Sequence, residues 1–86
     1  MAGRITLPTL RAMRNAGEPI VWITAYDATF ATFADEAGVD VILVGDSLGN
    51  VVLGHPTTVT VTLEDMVRAT ESVARAAKRA LVVADL

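Results

Sequence analysis

The 86-residue chain carries seven Lys plus Arg against ten Asp plus Glu, a formal net charge of −3, and 52% hydrophobic residues with few aromatics among them. That acidic balance argues against a nucleic-acid backbone as partner. The absence of cysteine excludes disulfides and thiolate metal sites, and no apolar run approaches the roughly 20 residues of a membrane span. Nor is there a continuous apolar core of signal-peptide type around Arg4, Pro8 and Arg11, so a cytoplasmic protein is expected.

Residues 1 to 5 give no strong signal. From Thr6 to Ala16, the spacing of Leu7, Leu10, Ala12 and Met13 predicts a short helix whose first turn tolerates Pro8 and which stops at Gly17. Ile20 to Thr24 is a β-rich run and the first expected strand. Asp27 is placed to cap a second helix over 28–37, where Phe30, Phe33, Ala34 and Ala37 fall on a 3/4 spacing before Gly38. Trp22 and Phe30 are expected in the core. Val39 to Val44 is the second strand, an apolar run that suits burial on both faces.

The stretch 45–61 holds Gly45, Gly49, Gly54 and Pro56, yet embeds Val51-Val52-Leu53. A solvated linker would not carry that apolar triplet, so the stretch reads as a folded loop over a strand end. Thr62 opens the strongest helical pattern, with Leu63, Met66, Val67, Thr70, Val73, Ala74 and Ala77 on one face. Glu64 and Asp65 sit in its first turn, Lys78 and Arg79 in its expected last, and Glu64–Arg68 and Glu71–Arg75 are i,i+4 pairs on a solvated surface. A third strand, Ala80 to Ala84, runs into Asp85. Strands alternating with helices imply an α/β fold with parallel strands and right-handed crossovers. The composition is that of a larger protein's interior, so residues 1–86 are expected to be a fragment, a single partial domain.

In a parallel sheet, strand ends of one polarity lie on one rim, which gathers Asp27, Asp46 and Asp85. If the second and third strands are neighbours, about 4.8 Å apart, Asp46 and Asp85 come within reach of one small cation. Mg²⁺ suits such a pair, because it takes one or two protein carboxylates and completes its octahedron with water and substrate oxygens. Ser47 would then stand beside the metal to hold a substrate carboxylate or carbonyl. Each residue also has a structural reading: Asp27 as a helix cap, Asp46 as a turn former, and His55, in Gly54-His55-Pro56, as a structural loop residue rather than an acid or base. No dinucleotide fingerprint, P-loop, nucleophile elbow or zinc helix is present.

Four motifs together resemble the ketopantoate hydroxymethyltransferase family: I-T-A-Y-D at 23–27, V-G-D-S-L-G-N-V-V-L-G-H at 44–55, T-V-T-L-E-D-M at 60–66 and V-A-D-L at 83–86. The resemblance implies a (β/α)₈ TIM barrel, a fold of about 250 residues, of which this chain would be the first three β/α units preceded by a short N-terminal helix. It implies that Asp46 and Asp85 are metal ligands for Mg²⁺ that also lie against the substrate, and that Ser47 is substrate-binding. The implied reaction is a hydroxymethyl transfer from 5,10-methylenetetrahydrofolate to 3-methyl-2-oxobutanoate, giving 2-dehydropantoate in pantothenate biosynthesis. By the same resemblance the general base, a lysine and a further glutamate lie beyond Leu86, so no catalytic residue is assigned and the chain alone is expected to be inactive. The family pattern also implies a homo-oligomer. Two alternatives fit less of the sequence. A 2-oxo-acid barrel of the phosphoenolpyruvate mutase and isocitrate lyase group would share the strand-end carboxylates but suits the H-P-T-T-V-T loop less well. A phospho-accepting signalling domain with Asp85 as acceptor leaves the G-D-S-L-G-N block without a role.

Overall fold

The computed structural model describes residues 3–85; Leu86, the last residue of the V-A-D-L motif, lies outside them. Helix α1 (Leu7–Asn15) precedes strand β1 (Trp22–Thr24), helix α2 (Ala28–Glu36) and strand β2 (Val41–Val44). A short helix α3 (Leu48–Val51), the long helix α4 (Leu63–Ala76) and strand β3 (Leu81–Ala84) follow. The strands pair in parallel in the order β1-β2-β3, with Trp22 opposite Val41 and Val44 opposite Ala84. Among the described residues no helix is long and apolar enough to cross a membrane.

Local chemistry sets the helix starts. The Asp27 carboxylate accepts the Phe30 N–H at 2.8 Å, as its position predicts. Thr62 and Asp65 form a reciprocal capping box, with the Thr62 N–H bonded to Asp65 Oδ2 at 3.0 Å and the Asp65 N–H to Thr62 Oγ1 at 3.1 Å. A second box joins Thr6 and Thr9 at the start of α1. Such a cap is worth about 1 kcal/mol.

The core lies between the sheet and its helices. Ile42 and Val44 of β2 point into a cluster with Ala31 and Ala34 of α2, Met66 and Val73 of α4, and Leu48 of α3. Val41, of opposite parity along the strand, is also fully buried, so β2 is covered on both sides there as its composition predicts. Ile5 is buried as well, and its N–H donates to Arg79 O at 2.7 Å, bringing the incoming chain to the end of the sheet where the strands begin.

Three expectations are corrected. Trp22 is 53% and Phe30 65% exposed, not core. Strand β1 is a three-residue edge strand with exposed side chains throughout. On α2 the buried residues are Ala31 and Ala34, small enough to admit the close approach of α4, and this turns Phe30 and Phe33 outward. Helix α4 ends at Ala76, so Lys78 and Arg79 lie past its last turn, where the backbone has become extended at Ala77. The buried stripe of α4 is also narrower than its periodicity, since Leu63 and Val67 face out.

The backbone past α4 is held by Asp35 instead. Its carboxylate accepts the N–H groups of Lys78 at 3.0 Å, Arg79 at 3.0 Å and Ala80 at 2.8 Å, tying the end of α2 to the start of β3. Burial acts to raise the Asp35 pKa, but the three amide donors and the Arg79 guanidinium outweigh it and hold the carboxyl below its ordinary value. Beside it, the guanidinium of Arg79 donates to Gly38 O and Val39 O and lies 3.6 Å from the buried carboxylate of Asp40. Asp40 also accepts the Val21 N–H at 2.9 Å.

A group with a depressed folded-state pKa stabilises the fold above its unfolded pKa, about 3.9 for Asp, and loses that contribution as pH falls through the folded value. Asp35→Ala is therefore expected to lower the unfolding free energy by about 2 kcal/mol at pH 7, the scale of hydrogen bonds to a charged group. The difference from the parent should narrow as pH falls below about 3.9, as the charge-dependent part of these bonds is lost. Urea titrations followed by circular dichroism at one protein concentration check both points, and a gap independent of pH would remove the charge from the account.

Candidate functional site

The loop after β2 is ordered by its own backbone. Gly45 O accepts the Leu48 N–H and Asp46 O the Gly49 N–H, which winds the chain into α3 where no regular element was expected. Leu48 and Gly49 are buried, whereas Val51, Val52 and Leu53 face out. Gly49 is needed for close approach: a Cβ there would stand 2.4 Å from Val61 Cγ2 and 3.6 Å from Thr57 O. The loop then returns through His55, whose N–H donates to Gly49 O at 2.8 Å and whose carbonyl accepts from Asn50 Nδ2 at 2.8 Å. These contacts are structural, and they use the backbone of His55, not its ring.

The sheet register carries Asp85 to the same level as this loop. The pairing of β2 with β3 continues one step past the strands, as the Asp85 N–H donates to Val44 O at 2.9 Å. Asp46 and Asp85 thereby line one cavity of about 230 Å³, walled by Thr58, Val61, Thr62, Leu63 and Met66. No Lys, Arg or His is among those residues. Both aspartates are exposed.

Their chemistry separates them from the other aspartates. Asp27, Asp35, Asp40 and Asp65 each accept a backbone N–H. Asp46 and Asp85 accept none among the described residues and pair with no cation there. Asp27 shares their rim but is occupied as a cap. Among the described residues no group of three or more His, Cys, Asp or Glu could hold a metal ion, so the acidic set at this rim is the two-carboxylate pair.

Ser47 is not in that cavity. Its hydroxyl meets the hydroxyl of Tyr26 at 2.5 Å, and Tyr26 lines a second cavity of about 370 Å³ with Leu48, Leu53, Asp65, Arg68 and Ser72. Sequence reasoning assigned Tyr26 no part, although it lies inside the I-T-A-Y-D motif. Its place directly after β1 was the available signal, because parallel strands deliver their following residues to one rim.

A parallel α/β sheet with free carboxylates collected where its strands end is the arrangement of enzymes that work at the carboxyl edge of a sheet. The family model of ketopantoate hydroxymethyltransferase matches residues 4–86. The chain belongs to that family. It is 60% identical over its whole length to the 3-methyl-2-oxobutanoate hydroxymethyltransferase of Methylococcus capsulatus, and 60% identical over 82 residues to the protein of that name from Burkholderia multivorans. It spans 32% of the first of these proteins and 30% of the second, so it corresponds to about a third of their length.

Because Val61 and Thr58 wall the Asp46–Asp85 cavity, Gly49→Ala is expected to displace them. Overpacking of this kind costs about 1–3 kcal/mol. A lowered urea midpoint together with shifted amide resonances for Thr58 and Val61 checks it; a midpoint and spectrum like the parent's would mean that the loop does not pack as described.

Proposed function

We propose that this chain supplies the first part of the active site of a hydroxymethyltransferase acting on 3-methyl-2-oxobutanoate, with 5,10-methylenetetrahydrofolate as the one-carbon donor and 2-dehydropantoate, a precursor of pantothenate, as product. The observation that carries the reading is that, among the described residues, Asp46 and Asp85 are the two aspartates whose carboxylates accept no backbone N–H, and that both face one cavity lined by no basic residue. Two unpaired carboxylates held together repel unless a cation or a proton joins them.

The donor set fits Mg²⁺, which binds through one or two protein carboxylates and leaves the rest of its octahedron to water and substrate oxygens. When bound, Mg²⁺ supplies a Lewis acid for the ketone oxygen of the oxo acid. Asp46 and Asp85 hold that charge at the rim, and Ser47 offers its hydroxyl to the substrate carboxylate. The thioether and alkyl groups of Met66, Val61 and Leu63 wall the same space and suit the branched alkyl end of the substrate. A base for proton removal from C3 is not assigned within the chain, and turnover by the 86 residues alone is expected to be absent.

Residues 1–86 are, in this reading, one partial domain: the first three β/α units of a (β/α)₈ barrel, with α1 ahead of them. Large exposed apolar side chains at Trp22, Ile23 and Val67 support it, because a completed barrel would cover them. The complete protein would be a cytoplasmic homo-oligomer binding a small 2-oxo acid and a folate.

The test is a hybrid enzyme in which residues 1–86 replace the aligned segment of the Methylococcus capsulatus protein. The hybrid should turn over in a Mg²⁺-dependent way. Asp46→Asn and Asp85→Asn should each cut kcat/KM by at least about 100-fold, in keeping with the several kcal/mol that a Lewis acid supplies. Unchanged kinetics in either variant would remove that residue from the metal site.

A further inference from the structure

Ser47 stands at the N-cap of α3 with helical backbone angles, and its side chain caps no N–H of that helix. The helix therefore does not fix the hydroxyl, and a serine side chain left free samples three rotamers. Its contact is the phenol of Tyr26, half-buried at the end of β1. One wall of the Tyr26 cavity is Leu48, which lies in the same buried core as the sheet. Asp65, on another wall, is engaged by Thr62. The phenol is thus built into the scaffold, and Ser47 is reached from it across the rim.

We infer that Tyr26 is a positioning residue: its hydroxyl donates to Ser47 Oγ and so directs the serine's own proton toward the substrate carboxylate. This rests on the reading of Ser47 as an oxo-acid contact. A hydroxyl carries one donor and two acceptor sites. If Tyr26 fills an acceptor site, the Ser47 proton stays available for a ligand, and its direction is restricted by the bond already made. No proton is transferred and no covalent bond changes. Removing the phenol oxygen leaves the aromatic ring in its cavity but releases the serine rotor, which weakens ground-state and transition-state binding together. That pattern raises KM and leaves kcat alone.

Two measurements decide it. In the 86-residue chain, Tyr26 is the sole tyrosine, so ¹³C-labelled tyrosine reports on it directly: Ser47→Ala should move its Cζ resonance, and an unmoved resonance removes the contact. In the hybrid enzyme, Tyr26→Phe should raise KM for the 2-oxo acid about 3- to 10-fold, the equivalent of one net hydrogen bond, with kcat changed by less than about 2-fold. It should add nothing in the Ser47→Ala background. If Ser47→Ala impairs binding while Tyr26→Phe is silent, or if the two effects simply add, the role of Tyr26 is overturned and that of Ser47 stands. If Ser47→Ala itself is silent, the reading of Ser47 fails first.

Discussion

The pairing of β2 with β3 fixes the rest of this structure. Val41 to Val44 lie opposite Leu81 to Ala84 in register, and the bond from the Asp85 N–H to Val44 O extends that ladder past the strands. Because the register is parallel, the chain leaves both strands at the same edge and must leave them with whatever residues come next. Those residues are Gly45-Asp46-Ser47 on one side and Asp85 on the other. A slip of one residue would turn Ile42 and Val44 out of the helix-facing core. The cost of exposing those side chains therefore also fixes the distance between the two carboxylates.

The two ends of the sheet are treated differently. Where the strands begin, acidic groups are committed: Asp35 to three amides, Asp40 to the Val21 N–H and to Arg79. These contacts link α2, the lead into β1, and the turn into β3, and they hold charges that would be costly to bury alone. Where the strands end, Asp46 and Asp85 accept no hydrogen bond on their carboxylates among the described residues, and they line a cavity with Val61, Leu63, Met66 and two threonines. Apart from Asp27 and Asp65, which cap α2 and α4, the aspartates thus stabilise the rim where the strands begin and stay chemically available where they end. Membership of the ketopantoate hydroxymethyltransferase family is consistent with that polarity, since parallel α/β sheets bind their ligands outside the carboxyl ends of the strands.

Much of this is legible from the chain because local rules govern it. The alternation of elements, the cap at Asp27, the box opened by Thr62 and the recurrence of an apolar run before Asp46 and Asp85 all depend on neighbours within a few positions. What escapes is tertiary. Asp35 reaches Lys78, Arg79 and Ala80 across more than forty positions, and nothing near Asp35 marks it. The contact between Tyr26 and Ser47 crosses from one strand end to the next. Phe30 and Phe33 have helical spacing, but the choice between that face and the alanine face of α2 was made by how closely α4 approaches. Helix α3 hides in a glycine-rich stretch whose turn is closed by backbone bonds alone.

The proposed chemistry requires Asp46 and Asp85 to act as one cation site at the strand-end rim. Manganese, a paramagnetic stand-in for Mg²⁺ with the same preference for oxygen ligands, can be titrated into the ¹⁵N-labelled chain and followed by line broadening. Selective broadening of the amides of Asp46, Thr58, Thr62 and Asp85, abolished in Asp46→Asn, is the predicted result. Broadening centred on Asp35 and Asp40, or none at the rim of Asp46 and Asp85, would contradict it.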